Sequence, residues 1–407
     1  MTYLKIAFRN IFRNKRRSFI TLSAIGFGVA SLIMFGGFIT NLMLMLGEGT
    51  VWGGVGHIQV YRKGFSENFG ENNLFFTLKN YKQLIEKLNS IEDVWITTPR
   101  LQFTGLISTG ESTVSFMATG IDPEKEGKFT SALNFIEGEN LMGTDGDNAI
   151  LGEGLARELG VKSGSVITLL TTTRDGAINA MDFLVKGIYR SGIEALDRRS
   201  LKIPIRKAQE LLYMDEVQTL VMVLNKTRNT AVVRNRLKGL INREKLNIEF
   251  KTWVQLSTFY RQSVDFLKGI FRVLQLIIAI VIVLGIMNAT IMSVFERTRE
   301  IGTIMALGDK RKKVLIQFLL EGGILGVIGG VCGILLGFLF SMVINLLGGI
   351  PLPSAPGATI PINVKIHMGV QVLISSFAIV VISSFLSSVF PSWKASRLEI
   401  VDALRHV

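Results

Sequence analysis

The chain has 407 residues, of which 48% are hydrophobic, and its formal net charge is +13 at pH 7. A mean hydropathy of +0.40, with long apolar runs between polar stretches, excludes a purely soluble protein and indicates an integral membrane protein with a sizeable polar part. The positive charge does not indicate nucleic-acid binding, because residues 47–265 carry 27 Lys or Arg against 26 Asp or Glu and the remaining excess flanks the apolar runs.

Cysteine and histidine are sparse, and the more numerous Ser, Asp and Glu residues form no catalytic constellation. Cys332 is the single cysteine, so no disulfide forms within the chain, and His57, His367 and His406 show no metal-ligand spacing. The sequence lacks the G-x-x-x-x-G-K-[ST] phosphate loop, and also the G-x-S-x-G and H-E-x-x-H motifs. We therefore expect no catalytic centre, no metal and no cofactor in this chain.

Residues 1–17 predict a cytoplasmic amphipathic helix. They carry six Lys or Arg and no acidic residue, and their apolar residues recur at helical spacing, as in helices that lie on an anionic leaflet. The alternative is the start of a cleaved signal peptide. The uncharged run that follows has 30 residues, which is too long for a signal peptide, so we predict a first transmembrane segment at 18–46.

Residues 47–265 predict a mixed α/β domain outside the cytoplasm. The alternating run 56–61 is typical of a strand, and the amphipathic run 78–91 is typical of a helix. Turn residues at 174–176 separate two strand-like runs and predict a hairpin. From residue 254 onward the pattern is helical and continues toward the second span.

Three further spans follow the α/β domain. The predicted segments are the stalk end with the second span at 266–296, a charged cytoplasmic segment at 297–313, the third span at 314–348, a Pro-rich outer loop at 349–366, the fourth span at 367–393 and a cytoplasmic tail at 394–407. Four spans with basic short loops inside place both termini in the cytoplasm. The predicted fold class is an α-helical membrane protein with four transmembrane helices and a large mixed α/β domain between spans 1 and 2.

The charged segment between the second and third spans predicts a short helix. Its pattern is helical from 300 to 307, and Gly308 is a typical C-terminal stop. One apolar face is expected from Ile301, Ile304, Met305 and Leu307. Such a helix either passes force between the membrane and a cytosolic partner or serves as a solvated positive anchor, and the charge pattern alone leaves both open.

The third span contains glycines at a spacing that allows close helix packing. The predicted packing residues are Gly322, Gly326, Gly330, Gly333 and Gly337. We expect three of them, at 326, 330 and 333, to share one face. That face packs within the subunit or forms a dimer seam, and the glycines of the first span favour the former slightly. Buried acids in membranes are often functional, but Glu321 lies so near the interface that we expect it to meet water or the basic run 310–313 instead.

The motif E-R-T-R-E-I-G-x-x-x-A-L-G, which begins at residue 296, resembles the coupling segment of the FtsX/MacB-type permeases of ABC transporters. The stretches 9–17, 152–166, 317–322 and 391–405 are also similar to that family. The resemblance implies that the segment docks on an ATPase. The implied ATPase-coupling residues are Glu296, Arg297, Arg299, Glu300, Ile301, Gly302, Met305, Ala306, Leu307 and Gly308.

The resemblance also implies partners and a location. The expected assembly is a homo- or heterodimer of permease subunits in the bacterial inner membrane, with two copies of a separate ABC ATPase that bind ATP and Mg. A MacB-like periplasmic core with an inserted subdomain at about 104–215 is implied, and a periplasmic carrier or adaptor is a further implied partner.

The stretch 56–60 after the first span looks most like the lipoprotein-releasing LolC/LolE branch, which implies lipoprotein or lipid-like cargo extracted from the inner membrane. Three alternatives remain at this stage. They are a MacB-like drug or peptide efflux permease, a non-transporting FtsX-like regulator of a cell-wall hydrolase, and, with little support, an intramembrane enzyme.

Overall fold

The computed structural model describes residues 7–10, 13, 15–66, 73–129, 134–192, 194–352 and 362–397. The chain divides into two compact units. The helical unit comprises Met1–Leu44, Ser263–Leu352 and Asn363–Val407, and the α/β unit comprises Met45–Gln262 and Pro353–Ile362. Parts of the predicted N-terminal helix (1–6, 11, 12, 14), of the Pro-rich loop (353–361) and of the tail (398–407) lie outside the described residues.

Twelve α-helices of the described chain are numbered in order. They are α1 (Lys15–Thr50), α2 (Tyr81–Asn89), α3 (Pro123–Phe129), α4 (Glu153–Leu159), α5 (Glu194–Asp197), α6 (Ile205–Leu211), α7 (Thr230–Glu244), α8 (Trp253–Leu256), α9 (Thr258–Glu296), α10 (Thr298–Ala306), α11 (Arg311–Leu346) and α12 (Val370–Ser396). Residues 7–10 and 13 are also helical, and a π-helical turn at Val51–Val55 extends α1.

The described chain has twelve strands. They are β1 (Ile58–Arg62), β2 (Val94–Ser108), β3 (Thr113–Ile121), β4 (Asn134–Gly138), β5 (Asn148–Gly152), β6 (Val166–Thr172), β7 (Ile178–Arg190), β8 (Ser200–Pro204), β9 (Thr219–Leu224), β10 (Ile248–Thr252), β11 (Ile350–Leu352) and β12 (Ile362–Val364).

Four helices of the described chain are long and apolar enough to cross a membrane. They are α1 with its π-helical extension, α9, α11 and α12. A large α/β unit lies in the sequence between the first and second of them. Together these features confirm the predicted fold class. A helix satisfies the backbone hydrogen bonds of each apolar stretch within lipid. Charged residues lie mainly at the ends of these helices, and Glu321 is a charged residue within the third one.

The α/β unit is built on one ten-stranded sheet. Its strands follow the order β10-β1-β9-β2-β3-β8-β5-β7-β4, and β6 pairs with both β2 and β7. The described pairs are antiparallel except for β3 with β8 and β5 with β7. The predicted hairpin is confirmed, because β6 and β7 pair in antiparallel register from Thr172 and Ile178 at the turn to Val166 and Leu184 at the far end.

The stretch predicted as an inserted subdomain, about 104–215, shares its sheet with the rest of the α/β unit. Residue 104 falls within β2, whose first half pairs with β9 and whose second half pairs with β3 and β6. A single hydrophobic cluster includes Ile58 and Leu224 from one side of this boundary and Phe116 and Leu151 from the other. The two parts therefore share one sheet and one core, because a continuous fifteen-residue strand runs through both.

His57 is fully buried in the α/β unit, just after the first helix. Its Nδ1 atom accepts a hydrogen bond from the backbone N–H of Leu224 at 3.1 Å, and its Nε2 atom lies 3.0 Å from Thr227 Oγ1. Burial lowers the pKa of His57 from its usual 6.5 to about 4, and the nearby carboxylate of Glu48 acts weakly in the opposite direction.

This lowered pKa predicts a loss of stability in mild acid. The unfolded chain takes up a proton at His57 near pH 6.5, whereas the folded chain does so near pH 4, so the stabilisation is complete above 6.5 and is lost as the pH falls toward 4. Between pH 6.5 and 5, where most carboxylates remain ionised, the α/β unit should lose about 2 kcal/mol of unfolding free energy. Denaturant titrations of the full chain at several pH values measure the loss. The matched variant His57→Gln should be less stable at pH 7 but flatter with pH, and an equally steep slope in that variant would contradict the assignment.

Candidate functional site

The predicted coupling segment forms a short helix between two spans. Helix α10 is separated from the end of α9 by Arg297, whose φ of −115° and ψ of 11° break the helical path. At the other end, Gly308 has a φ of +99°, a left-handed conformation that favours glycine and ends the helix. The helix starts and stops within two residues of the bounds predicted from the sequence.

One side of α10 is buried against the ends of the spanning helices. Ile301 and Met305, one helical turn apart, are 5% and 7% exposed. They belong to a small hydrophobic cluster whose other members are Val294 of α9, Val314 and Phe318 of α11, and Ala395 of α12. Gly302 is also buried. Helix α10 is therefore held by direct packing against three spans, so a displacement of α10 must displace their ends.

The opposite side of α10 is exposed and partly apolar. Leu307 is 84% exposed and Ile304 is 42% exposed, and Arg299, Glu300, Ala306 and Gly308 are exposed as well. The prediction of one common apolar face for 301, 304, 305 and 307 is therefore wrong. At about 100° per residue, Leu307 lies about 120° around the helix from Ile301, too far to share its packing surface.

Two acidic residues of the segment pair with arginines of the N-terminal region. Arg17 donates to Glu296 Oε2 at 2.9 Å, and Arg13 donates to Glu300 Oε1 at 2.9 Å. The two arginines are four residues apart in the sequence, and so are the two glutamates that they bind. Both pairs are partly or largely exposed, and pairs of this kind contribute little individually. Their effect is to align the N-terminal region with α10.

A third polar contact is buried. Arg297 and Glu321 are 6% and 7% exposed, and the Nη1 atom of Arg297 donates to Glu321 Oε1 at 3.0 Å. The same oxygen accepts a second hydrogen bond from Asn10 Nδ2 at 2.7 Å. The expectation that Glu321 meets water or the basic run 310–313 is wrong, because its side chain lies inside the bundle while those four residues are exposed or half-buried. The signal in the sequence was a lone acidic residue within an apolar span.

The glycines of α11 form two packing stripes. Methyl groups placed at 322, 326 and 330 would collide with Ser388, Ser384 and Phe377 of α12. At 329 and 333 they would collide with Ile25 and Val29 of α1, and at 337 they would lie 3.2 Å from Ile33. Gly326, Gly330 and Gly333 lie within about 60° of one another around the helix, but 326 and 330 contact α12 whereas 333 contacts α1. Each stripe follows the four-residue spacing, and the second begins at Gly329, which the prediction left out. Both stripes meet helices of the same chain.

Buried serines of α12 face the first glycine stripe, and their role was not predicted from the sequence. Ser384 and Ser388 are fully buried and donate to the carbonyl oxygens of Val380 and Ser384 at 2.7 and 2.9 Å. A serine whose hydroxyl is bonded to its own helix is small and has no unmet polar group. The four-residue repeat of Ser384, Ser388 and Ser392 was the available signal.

Comparison with known families accounts for most of the chain. The profile of the MacB-like periplasmic core domain matches residues 18–240, and the profile of the FtsX-like permease C-terminal region matches residues 272–400. The second match contains α10, α11, α12 and most of α9.

Similarity to individual proteins points to the same family as the two profiles. The chain is 43% identical over 122 residues to the uncharacterized ABC transporter permease YvrN of Bacillus subtilis, covering 30% of this chain and 26% of that protein. It is 24% identical over 414 residues to the lipoprotein-releasing system transmembrane protein LolC of Neisseria meningitidis, covering 97% and 96%. It is 24% identical over 286 residues to the macrolide export ATP-binding/permease protein MacB of Syntrophobacter fumaroxidans, covering 66% of this chain and 37% of that protein.

The chain thus spans about a quarter of YvrN, a little over a third of MacB and nearly all of LolC. The core-domain profile alone covers more than half of the 407 residues, and the permease profile covers the coupling segment and three of the spans. The chain belongs to the FtsX/MacB-type permeases of ABC transporters.

Proposed function

We propose that this chain is the permease subunit through which a separate ATPase, on the cytoplasmic side of the bacterial inner membrane, drives conformational change in the α/β unit on the other side. The proposal rests on the difference in burial between the two sides of helix α10. Its inner side is fixed to three spans by Ile301 and Met305, and its outer side presents Leu307 at 84% exposure. An exposed leucine at the tip of a well-anchored helix is the arrangement expected of a docking element.

In this proposal ATP and Mg bind to the partner ATPase, and this chain supplies the mechanical path. Closure of two ATPase copies displaces α10, and the packed cluster passes the displacement to α9 and α11. Helix α9 is one uninterrupted helix of 39 residues, about 58 Å long, which is more than a membrane requires. It therefore has the length to carry a displacement from the coupling segment to residues beyond the bilayer.

The proposed topology has both termini in the cytoplasm and the α/β unit outside it. Its support is the distribution of charge, since residues 1–17 and the segment 296–313 are strongly basic and the region 47–265 is nearly balanced. A second permease subunit, identical or related, completes the transporter, and a periplasmic carrier or adaptor receives what it releases.

For the cargo, we favour lipoprotein or lipid-like molecules extracted from the inner membrane. The support is the likeness to LolC, which runs over 97% of this chain. Export of a drug or peptide is the second candidate, favoured by the likeness to MacB over 66% of this chain.

Copurification with the ATPase tests the proposal. The double variant Ile304→Ser/Leu307→Ser should bind the ATPase about tenfold more weakly, since burial of two apolar side chains at an interface is worth at least about 1.4 kcal/mol. The matched control is Leu347→Ser, which removes a leucine that is 80% exposed just after the far end of α11. Equal binding by the two variants would remove α10 from the docking surface.

The same purified complex allows the bound cargo to be identified. Mass spectrometry of material bound to the wild-type complex should detect acylated lipoproteins, and ATP addition should release them. Bound small amphiphiles or peptides, with acylated proteins absent, would favour the second candidate instead.

A further inference from the structure

Glu321 lies where three separate parts of the helical unit meet. It belongs to α11, its ionic partner Arg297 immediately precedes α10, and its second partner Asn10 comes from the N-terminal region. Both donors bond to the same oxygen, at 3.0 and 2.7 Å. The ion pair of Glu321 is buried, whereas Arg13–Glu300 and Arg17–Glu296 are partly or largely exposed.

Burial makes this contact costly to break. A carboxylate separated from its cation in low-dielectric surroundings keeps its desolvation penalty and loses the attraction that offset it. The chain also surrounds Glu321 with polar groups. A cavity of about 30 Å³ beside the carboxylate is lined in part by hydroxyl-bearing Ser18, Thr21, Thr290 and Ser293. The carboxylate is thus enclosed by polar groups of α1 and α9 as well.

A gain in folding stability does not explain the presence of this buried ion pair, because a protein with well-packed apolar side chains in its place is often as stable or more stable. What an ion pair adds is directional attachment: the two charged atoms stay together when the elements that carry them move. Apolar packing such as that of Ile301 and Met305 holds α10 in place without fixing one atom to one atom.

We infer that Glu321 is a positioning residue for coupling, the joint through which the segment at Arg297 moves α11 and the N-terminal region together. The inference rests on the proposed function and adds a specific route to it. Loss of the Glu321 contacts should leave ATPase docking intact, because the exposed face of α10 is unchanged. It should lower the amount of cargo released for each ATP hydrolysed.

Two variants distinguish an effect of Glu321 on coupling from an effect on folding stability. Glu321→Gln keeps an oxygen that accepts hydrogen bonds and removes the charge. The double variant Arg297→Met/Glu321→Leu replaces the pair with apolar side chains of similar length and should keep the fold. Arg13→Gln is the control, since it removes an ion pair between the N-terminal region and α10 whose side chains are 56% and 53% exposed.

The experiment uses the full chain with its ATPase in proteoliposomes and measures ATPase binding, ATP hydrolysis and cargo released per ATP. Arg297 and Glu321 are both buried, so neither variant changes the exposed face of α10, and both should bind the ATPase as the wild type does. Both should release at least about fivefold less cargo per ATP. Arg13→Gln should match the wild type in all three. Wild-type coupling in either Glu321 variant would overturn the inference. A wild-type chain that neither binds nor stimulates the ATPase would instead overturn the proposed function.

Discussion

Replacing Gly326 with leucine is expected to destabilise the helical unit by about 2–3 kcal/mol, whereas the same replacement at Gly323 should have little effect. A methyl group at 326 would lie 2.5 Å from the Cβ and Oγ atoms of Ser384, so α11 and α12 would have to separate. At 323 a methyl group would meet no atom within 4 Å. The two positions lie in the same helix three residues apart, which matches them for helix propensity.

Thermal unfolding and the yield of folded protein in detergent measure the difference. Gly326→Ala should give a smaller loss than Gly326→Leu, because a methyl group demands less separation than a butyl group. If Gly323→Leu were as damaging as Gly326→Leu, the loss would reflect the introduction of leucine into α11 generally rather than the packing of its stripe. A loss of dimer with unchanged monomer stability would place the stripe at a subunit contact instead.

A second large effect is expected in the α/β unit, where Arg100→Met should cost about 3–5 kcal/mol. Arg100 makes two hydrogen bonds to Glu126, at 2.7 and 2.8 Å, and Glu126 is 1% exposed. Arg100 also donates to the carbonyl oxygen of Gly54 and lies over the ring of Phe129 at 5.8 Å. Removal of the guanidinium takes the ion pair and two hydrogen bonds from a buried carboxylate and one hydrogen bond from the Gly54 carbonyl.

Denaturant unfolding of the full chain, followed by fluorescence of the α/β unit, measures this cost. Arg198→Met provides the control, because its pair with Glu194 is 60% and 49% exposed and should be worth at most about 1 kcal/mol. The double variant Arg100→Met/Glu126→Leu should regain much of the lost stability, since it removes both charges. A loss in the double variant equal to the sum of the single ones would show that the pair is not the cause.

Features set by local sequence could be predicted, because they depend on composition over a short window. Each apolar run satisfies its own backbone as a helix, so the four spans follow from hydropathy, and Gly308 ends α10 through its own conformational freedom. The hairpin of β6 and β7 follows from its turn residues.

Features set by which helices become neighbours could not be predicted from the sequence. Arg297 and Glu321 are 24 residues apart and lie in different elements, so nothing local indicates that they pair. Five of the six glycines were identified by spacing, but the split into two stripes depends on which helix contacts α11 at each level along its axis. The exposure of Leu307 likewise depends on where the three spans that cover Ile301 come to an end.

The contact between α11 and α12 has a consequence for how these helices can move. Gly322 and Gly326 of α11 face Ser388 and Ser384 of α12, so few side chains interlock there. The hydroxyls of both serines bond to carbonyl oxygens of α12 itself and not to α11. A surface of this kind resists separation, because close contact would be lost, but it offers few steric ridges against sliding along the helix axes. The pair is therefore suited to a shear of small amplitude, in which one helix shifts lengthwise past the other while the backbone hydrogen bonds of both stay intact.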